Sequence, residues 1–438
     1  MTATEACGLT AVHAVFRKWL GDTFDLTALD AVFAAAAVEQ LDGDPVWLLI
    51  VSGSGNAKTE TVGALAGAGA FVTSTITSEG ALLSATSRKE QSKDATGGLL
   101  RKIGESGVLV IKDFTSILSM NRDSRAAVLA ALREVYDGKW ERNVGTDGGR
   151  SLLWTGRITL IGAVTTAYDT AHTVIASMGD RFALVRVDSN LGRMNAGMQA
   201  LRNVGHEILM RAELAEAAGK VLAGVDPDRA ALTEDDMTLL LGAADLVTLA
   251  RTAVERDHRG DVSEAHQPEA PSRYAKMLGQ LVRGTLAVGG SHEHAVTVAM
   301  RVAGDSVPPL RLLVLGDLLT HPDSTTSDVT RRLQRPRTTV DRSLQELHLL
   351  GLVRIDEVEG QKSWRYRLTP GVDRTTLGQL ITRNVSTRAR AEEEGDQPHL
   401  GTDKSGDVGA LAHLGTDKSG DSAADLAEAV WLTEWTAS

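Results

Sequence analysis

The sequence predicts an α/β fold: a parallel sheet core, then a long helical region, then a smaller unit of three helices and a hairpin. Three observations predict it. Short continuous apolar runs recur between helix-compatible stretches, as in a parallel sheet covered on both faces. The first run leads into a Gly- and Ser-rich turn and then a helix. After residue 306 the pattern changes to helical periodicity followed by two β-like runs.

Residues 10–40 read as helix, with Leu26, Leu29, Val32 and Phe33 at helical spacing. Gly43, Asp44 and Pro45 turn the chain. Residues 46–51, VWLLIV, read as the first strand, and a helix follows from Lys58. Further strands are expected at 108–113, 158–164 and 182–188. Residues 190–300 read as helical without strong strand signals, broken by a polar loop at 254–272. The expected units are a helical segment 1–40, a core 41–190, a helical lid 191–300, a C-terminal unit 306–370 and a flexible tail 371–438. The tail carries an identical nine-residue repeat, HLGTDKSGD, at 399 and 413. Two copies are too few for a solenoid, so a disordered tail is expected, its duplicated motif suited to binding a protein partner through avidity.

Composition narrows the function. With 438 residues, 42% hydrophobic and 24% charged, the chain can build two or three cores, and 4% aromatic content makes them aliphatic. A net charge of -11 argues against broad coating of DNA, so any nucleic-acid contact must be a local basic patch. The one cysteine, Cys7, excludes a disulfide framework or cysteine-rich zinc site within the chain. The N-terminus lacks the charge and apolar run of a signal peptide, and no apolar run approaches the ~20 residues of a membrane span. A cytoplasmic location is expected.

The segment SGSGNAKTE follows a strand and opens a helix, the setting of a P-loop. Gly53, Ser54, Gly55, Asn56, Ala57, Lys58, Thr59 and Glu60 are the candidate phosphate-binding residues. Backbone N–H groups wrap the phosphates, Lys58 adds a full positive charge, and Thr59 offers a hydroxyl to magnesium. The cofactors expected are ATP and Mg2+. Two residues depart from the pattern. Ser52 stands where the first Gly belongs, and Ala57 where the Gly before Lys belongs, so its Cβ crowds the approach to phosphate. VLVIKDF puts Asp113 at the end of a buried strand, expected beside the P-loop strand, where a second carboxylate helps hold magnesium. Phe114 follows where a water-polarising Glu is common, which leaves Glu60, Glu79 or Glu134 as substitutes.

Over roughly residues 41–290 the order of elements resembles the AAA+ ATPases, in the branch of minichromosome-maintenance-type helicases and sigma-54 activators. ATGGLLRKIGESGVLVIKDFTSIL resembles the approach to its acidic strand. SRAAVLAALREVYDGKWERNVG resembles the following helix, leading into a hairpin placed where that branch reaches toward DNA in a central pore. The resemblance implies pore contacts at Lys139, Arg142 and Arg150. It implies a sensor role for Thr165, an arginine finger at Arg181 reaching a neighbouring subunit's γ-phosphate, and a lid arginine at Arg273. It also implies a homo-oligomer, a ring being the family habit.

Residues 308–322, 325–333 and 336–351 read as three helices, and 352–368 alternates like two strands around Glu359 and Gly360. This order resembles winged helix-turn-helix domains. Leu344, Leu347 and Leu350 form the third helix's buried stripe. Five arginines fall within 331–342: Arg331, Arg332, Arg335, Arg337 and Arg342, offset only by Asp341. With Thr338, and with Lys362, Arg365 and Arg367 on the wing, they are the candidate DNA contacts. The expected function is an ATP-driven motor or switch on DNA, helicase-like, serving replication, recombination or mobile-element maintenance. The alternative is a nucleotide-regulated winged-helix transcriptional regulator with weak or no hydrolysis. A third reading is an ATPase that remodels a protein partner.

Overall fold

The computed structural model describes residues 8–85, 96–145, 148–177, 180–356 and 364–382. Cys7, Lys362, the wing turn 357–363 and the repeats at 399 and 413 lie outside the described residues.

The core is a five-stranded, all-parallel sheet. Its strands are β1 (Trp47–Val51), β2 (Phe71–Thr73), β3 (Ser106–Ile111), β6 (Arg157–Val164) and β7 (Ala183–Arg186), in the order β2-β3-β6-β1-β7. Between β3 and β6 the chain forms an antiparallel pair of β4 (Lys139–Val144) and β5 (Arg150–Thr155), where the family resemblance implied a hairpin. Trp140 faces Trp154 across it, both buried.

The strand order corrects one expectation. Asp113 follows β3, which does not neighbour β1, because β6 pairs with both. β6 is buried along seven of its eight residues, and a central position with a partner on each side suits such a run. Other expectations change too. The tail expected from residue 371 is folded through 382: residues 374–382 are helical, and Leu377 and Leu380 are fully buried in the core. The helix read through 10–40 is two helices, Leu9–Leu20 and Leu26–Ala37. Gly21 breaks it with φ 97, and the Asp25 carboxylate accepts from Ala28 N to cap the second. The polar loop at 254–272 contains a hairpin of β8 (Val254–Arg256) and β9 (Val262–Ala265). Its residues are mostly exposed and polar, so no apolar alternation announced it.

The region read as a lid divides. Helices Pro271–Ala287 and His292–Asp305 pack against helix Leu26–Ala37 and belong to the core. The end of the second covers the open edge of β7: Leu184 N donates to Ser306 Oγ at 2.9 Å and Arg186 N to Asp305 Oδ2 at 2.8 Å. Arg301, one turn earlier, is 1% exposed. It donates to both oxygens of Asp25 and to Arg186 O at 3.0 Å. No helix among the described residues is long and apolar enough to cross a membrane.

A buried carboxylate joins the same elements. Asp30 accepts from His13 Nε2 at 2.6 Å and His294 Nε2 at 2.8 Å. Burial alone would raise the Asp30 pKa, but the two histidine bonds and their charge outweigh it and hold it below 3.8. The bond to Asp30 raises His294 above 6.5, against the opposing effect of burial. A raised His stabilises the fold fully below 6.5 and ceases to as pH climbs through its folded pKa. A lowered Asp stabilises above 3.8 and ceases to as pH falls through its folded pKa. Both contributions act between those two values. The melting temperature of Asp30→Asn should therefore lag the wild type most in that window, with the gap narrowing above neutrality. A gap independent of pH would refute the coupling.

Candidate nucleotide cleft and nucleic-acid interface

Because the strands are parallel, their C-terminal ends share one edge of the sheet, where α/β proteins bind ligands. There the loop after β1, Thr165 after β6, and Val187 and Asp188 after β7 line a cleft of about 500 Å³. That volume suits a ligand of nucleotide size. Trp19, Leu20, Thr23, Phe24 and Asp25 supply one wall. Gln199, Asn203 and Glu207 line it from helices Arg193–Arg202 and Glu207–Ala223 and the turn between them. None of these residues carries a motif, so sequence reading missed them.

Within the loop, Asn56 Nδ2 donates to Ser52 Oγ at 2.9 Å. The Ser standing in for the first Gly thus ties the loop shut. Gly53 has a steric reason to be glycine: a Cβ there would lie 2.6 Å from Ser189 Oγ. Gly55 has φ +82, and Ser54 is exposed. Ala57 has φ 51, a left-handed conformation that disfavours any Cβ. Lys58 Nζ donates to Ser52 O at 2.9 Å and to Gly53 O. Burial lowers its pKa. No carboxylate pairs with it among the described residues, so the ammonium faces the cleft held only by carbonyl oxygens. Thr59 is exposed at the start of helix Lys58–Gly63. Glu60 is bound by Arg211 at 2.7 Å.

Asp113 is exposed and accepts from Ser116 N at 3.3 Å and from Ser116 Oγ. It is not among the residues lining the cleft. A short link connects its segment to the cleft: Thr165 N donates to Thr115 Oγ1 at 3.0 Å. Phe114 is fully buried, edge-on to Phe182 at 5.1 Å, which explains an aromatic where a carboxylate would be stranded in the core. Of the substitute glutamates, Glu79 is held by Arg142 at 2.7 Å and Glu134 lines a different cavity. Of these three, Glu60 alone lines the cleft, where Glu207 is a further glutamate.

Arg181 precedes β7, whose register with β1 runs from Leu48↔Ala183 to Val51↔Arg186. It therefore lies at the opposite edge of the sheet from the Lys58 loop of its own chain. It pairs with Asp137 at 2.9 Å and stands over the Tyr136 ring. Arg273 pairs with Glu269 at 2.9 Å and shares a cavity of about 550 Å³ with Arg181, Arg133 and Arg251. This corrects the lid arginine expected at the cleft. Helix Pro271–Ala287 is anchored beside the turn before β1, with Lys276 on Asp44 at 3.1 Å and Gln280 donating to Asp42 O at 2.8 Å. On the hairpin, Lys139 is exposed and Arg150 half-buried, whereas Arg142 is turned inward onto Glu79 and Leu83 O.

The C-terminal unit has helices Pro309–Thr320, Thr326–Leu333 and Arg337–Leu349, then β10 (Val353–Asp356) antiparallel to β11 (Arg365–Leu368). Thr325 and Asp328 form a reciprocal capping box. Gln334, at φ 50, makes the turn between the second and third helices. Arg335, Arg337 and Thr338 are exposed around the start of the third helix, and Arg331 is 77% exposed with only a 3.4 Å contact to Asp328. The other arginines are engaged. Arg332 grips both oxygens of the buried Asp317 at 2.6 and 2.7 Å and Ser324 Oγ at 2.6 Å. Arg365 donates to Asp323 O at 2.8 Å, and Arg367 pairs with Asp323 and Asp356. Arg342 packs against Gly260 of the β8–β9 turn.

Residues 313–370 match the protein family described as TrmB, the sugar-specific transcriptional regulator TrmB. No curated protein matches the chain. The C-terminal unit is a TrmB-type winged helix of the DNA-binding kind, and the chain as a whole joins it to a parallel α/β sheet.

The left-handed Ala57 gives a direct test of the loop. Ala57→Gly should stabilise the chain by roughly 1 kcal/mol in urea unfolding, the strain of the left-handed Cβ less the entropy glycine loses on folding. Destabilisation of that size would exclude this loop conformation.

Proposed function

We propose that the chain is a nucleotide-responsive DNA-binding regulator, in which the winged helix contacts DNA and the Lys58 cleft holds a nucleoside triphosphate with magnesium. The observation that carries the reading is the winged helix itself, similar in sequence to a transcriptional-regulator family and presenting Arg331, Arg335 and Arg337 to solvent. Those guanidiniums would bind phosphates and set the third helix against the major groove. Only the DNA-facing unit is matched, so the sugar specificity in the family's name is not carried to this chain.

The donor set of the cleft fits a triphosphate. Lys58 is a half-buried cation satisfied only by carbonyls, beside loop N–H groups, and a phosphate oxygen would be a better partner. ATP supplies the phosphate charge that this loop recognises. Magnesium would be held by Thr59 and the phosphates, since Asp113 is bonded to Ser116 and does not line the cleft. Among the described residues no group of three or more His, Cys, Asp or Glu forms a metal cage.

Weak hydrolysis follows from the residues at hand. Phe114 is committed to the core, and Glu60 is neutralised by Arg211. A DNA-driven motor is the second reading, favoured by the position of Arg181. An arginine at the far edge of the sheet can act only on the cleft of a neighbouring copy, which calls for a homo-oligomer.

Two measurements test the proposal. Lys58→Ala should abolish ATP binding by calorimetry while leaving the melting temperature near wild type, since its present partners are loop carbonyls. On a labelled duplex, Arg335→Ala and Arg337→Ala should each weaken binding and reduce the salt slope by about one. Arg332→Ala should instead lower the melting temperature, by leaving the buried Asp317 with only His321 at 3.8 Å. A wild type whose affinity for the duplex does not depend on salt would remove the DNA assignment.

A further inference from the structure

The third helix of the winged unit does not stand clear of the rest of the protein. Its Val340, Leu344 and Leu347 side is buried in the winged-helix core. A second side carries Thr339, Arg342, Ser343 and Glu346, spaced by three and four. These residues line a cavity with Arg256 of β8. Glu346 accepts from Arg256, and from Arg311 at 2.9 Å. At the hairpin tip, Gly260 lies so close to Arg342 that a Cβ there would be 2.8 Å from the guanidinium. The tip is braced from within: Asp257 Oδ1 accepts from Arg259 N and Asp261 N, both at 2.9 Å, and Arg256 donates to Gly260 O at 3.2 Å.

We propose that the β8–β9 hairpin is an autoinhibitory clasp, holding Arg342 against the Gly260 turn and away from DNA. The inference rests on the DNA-binding reading above. Two features argue for a clasp over inert packing. The first is charge. Residues 255–264 carry Glu255, Asp257, Asp261 and Glu264 against Arg256 and Arg259, so the hairpin sets excess negative charge beside the helix meant to meet a polyanion. The second is the latch. Arg256 is 37% exposed, and an ion pair that open to water is weak enough for phosphate contacts to displace. Glu346 keeps Arg311, buried in the same unit, when Arg256 leaves, so release strands no carboxylate. Opening frees Arg342, on the helix turn after Thr338, to bind phosphate.

The test is DNA binding by the full chain, measured by anisotropy on a labelled random-sequence duplex across a salt series. Arg256→Glu sets like charges against Glu346. It should tighten binding about fivefold at low salt and steepen the log–log salt slope by about one as Arg342 joins. Arg256→Ala should move both in the same direction with less disruption, and Arg256→Lys should keep wild-type values. In Arg256→Glu with Arg342→Ala, the slope should return to that of the wild type. If the wild type binds DNA and neither Arg256→Glu nor Arg256→Ala binds more tightly or with a steeper slope, the clasp is overturned and the DNA assignment stands. If wild type and variants all fail to bind, both are overturned.

Discussion

The cleft depends on one buried cation. Arg301 joins two parts of the chain distant from it in sequence, Asp25 before the second helix and Arg186 at the end of β7, and also pairs with Asp305 one turn along its own helix. Burial disfavours its charge, but Asp25 and Asp305 hold the pKa above the ordinary arginine value. Desolvating an ion costs several kcal/mol unless its hydrogen bonds are met, and here they are. Asp25 also caps helix Leu26–Ala37 and lines the cleft beside Trp19 and Phe24. Arg301 thus fixes a wall of the cleft from behind, and Asp305 closes the sheet edge at the same point. A hydrophobic residue of similar volume could fill the space, but it could not bind Asp25 and the Arg186 carbonyl together.

The sheet order governs the rest of the chemistry. A parallel sheet sorts residues by which end of a strand they follow. Lys58, Thr165 and Asp188 follow strand C-termini and share the cleft, whereas Arg181 precedes β7 and joins Arg273 at the far edge. These arginines therefore do not reach the Lys58 cleft of their own chain, which is completed by the N-terminal segment and helices 193–223. Placing β6 between β1 and β3 sets Asp113 two strands from the Lys58 loop, and the Thr115–Thr165 bond spans part of that gap.

Much of the architecture was legible in the sequence because it is local. VWLLIV running into SGSGNAKTE announced strand, loop and helix, and the winged helix was readable from periodicity and turn residues, whereas the β4–β5 hairpin was expected only from the family resemblance. The candidate arginines were legible only as a list. Arg332 and Arg335 lie three residues apart in one basic segment, yet one grips a buried aspartate and the other meets solvent. What separates them is the position of Asp317, one helix earlier, and no spacing encodes that. The N-terminal wall was invisible for a similar reason: Trp19 and Phe24 are ordinary apolar residues until folding brings them over the loop.

The sequence by itself determined most of the strands and helices, though not β2 or the β8–β9 hairpin, and it determined that a lysine-bearing loop follows the first strand and that a basic helix-turn-helix lies near the C-terminal end of the described residues. These follow from side-chain periodicity, glycine placement and capping, which act over a few residues. Only the tertiary structure decided the strand order, the partner of each buried charge, and which arginines remain open to a ligand. Those depend on contacts between residues far apart in the chain, where a charge can be buried only if folding delivers its counter-ion.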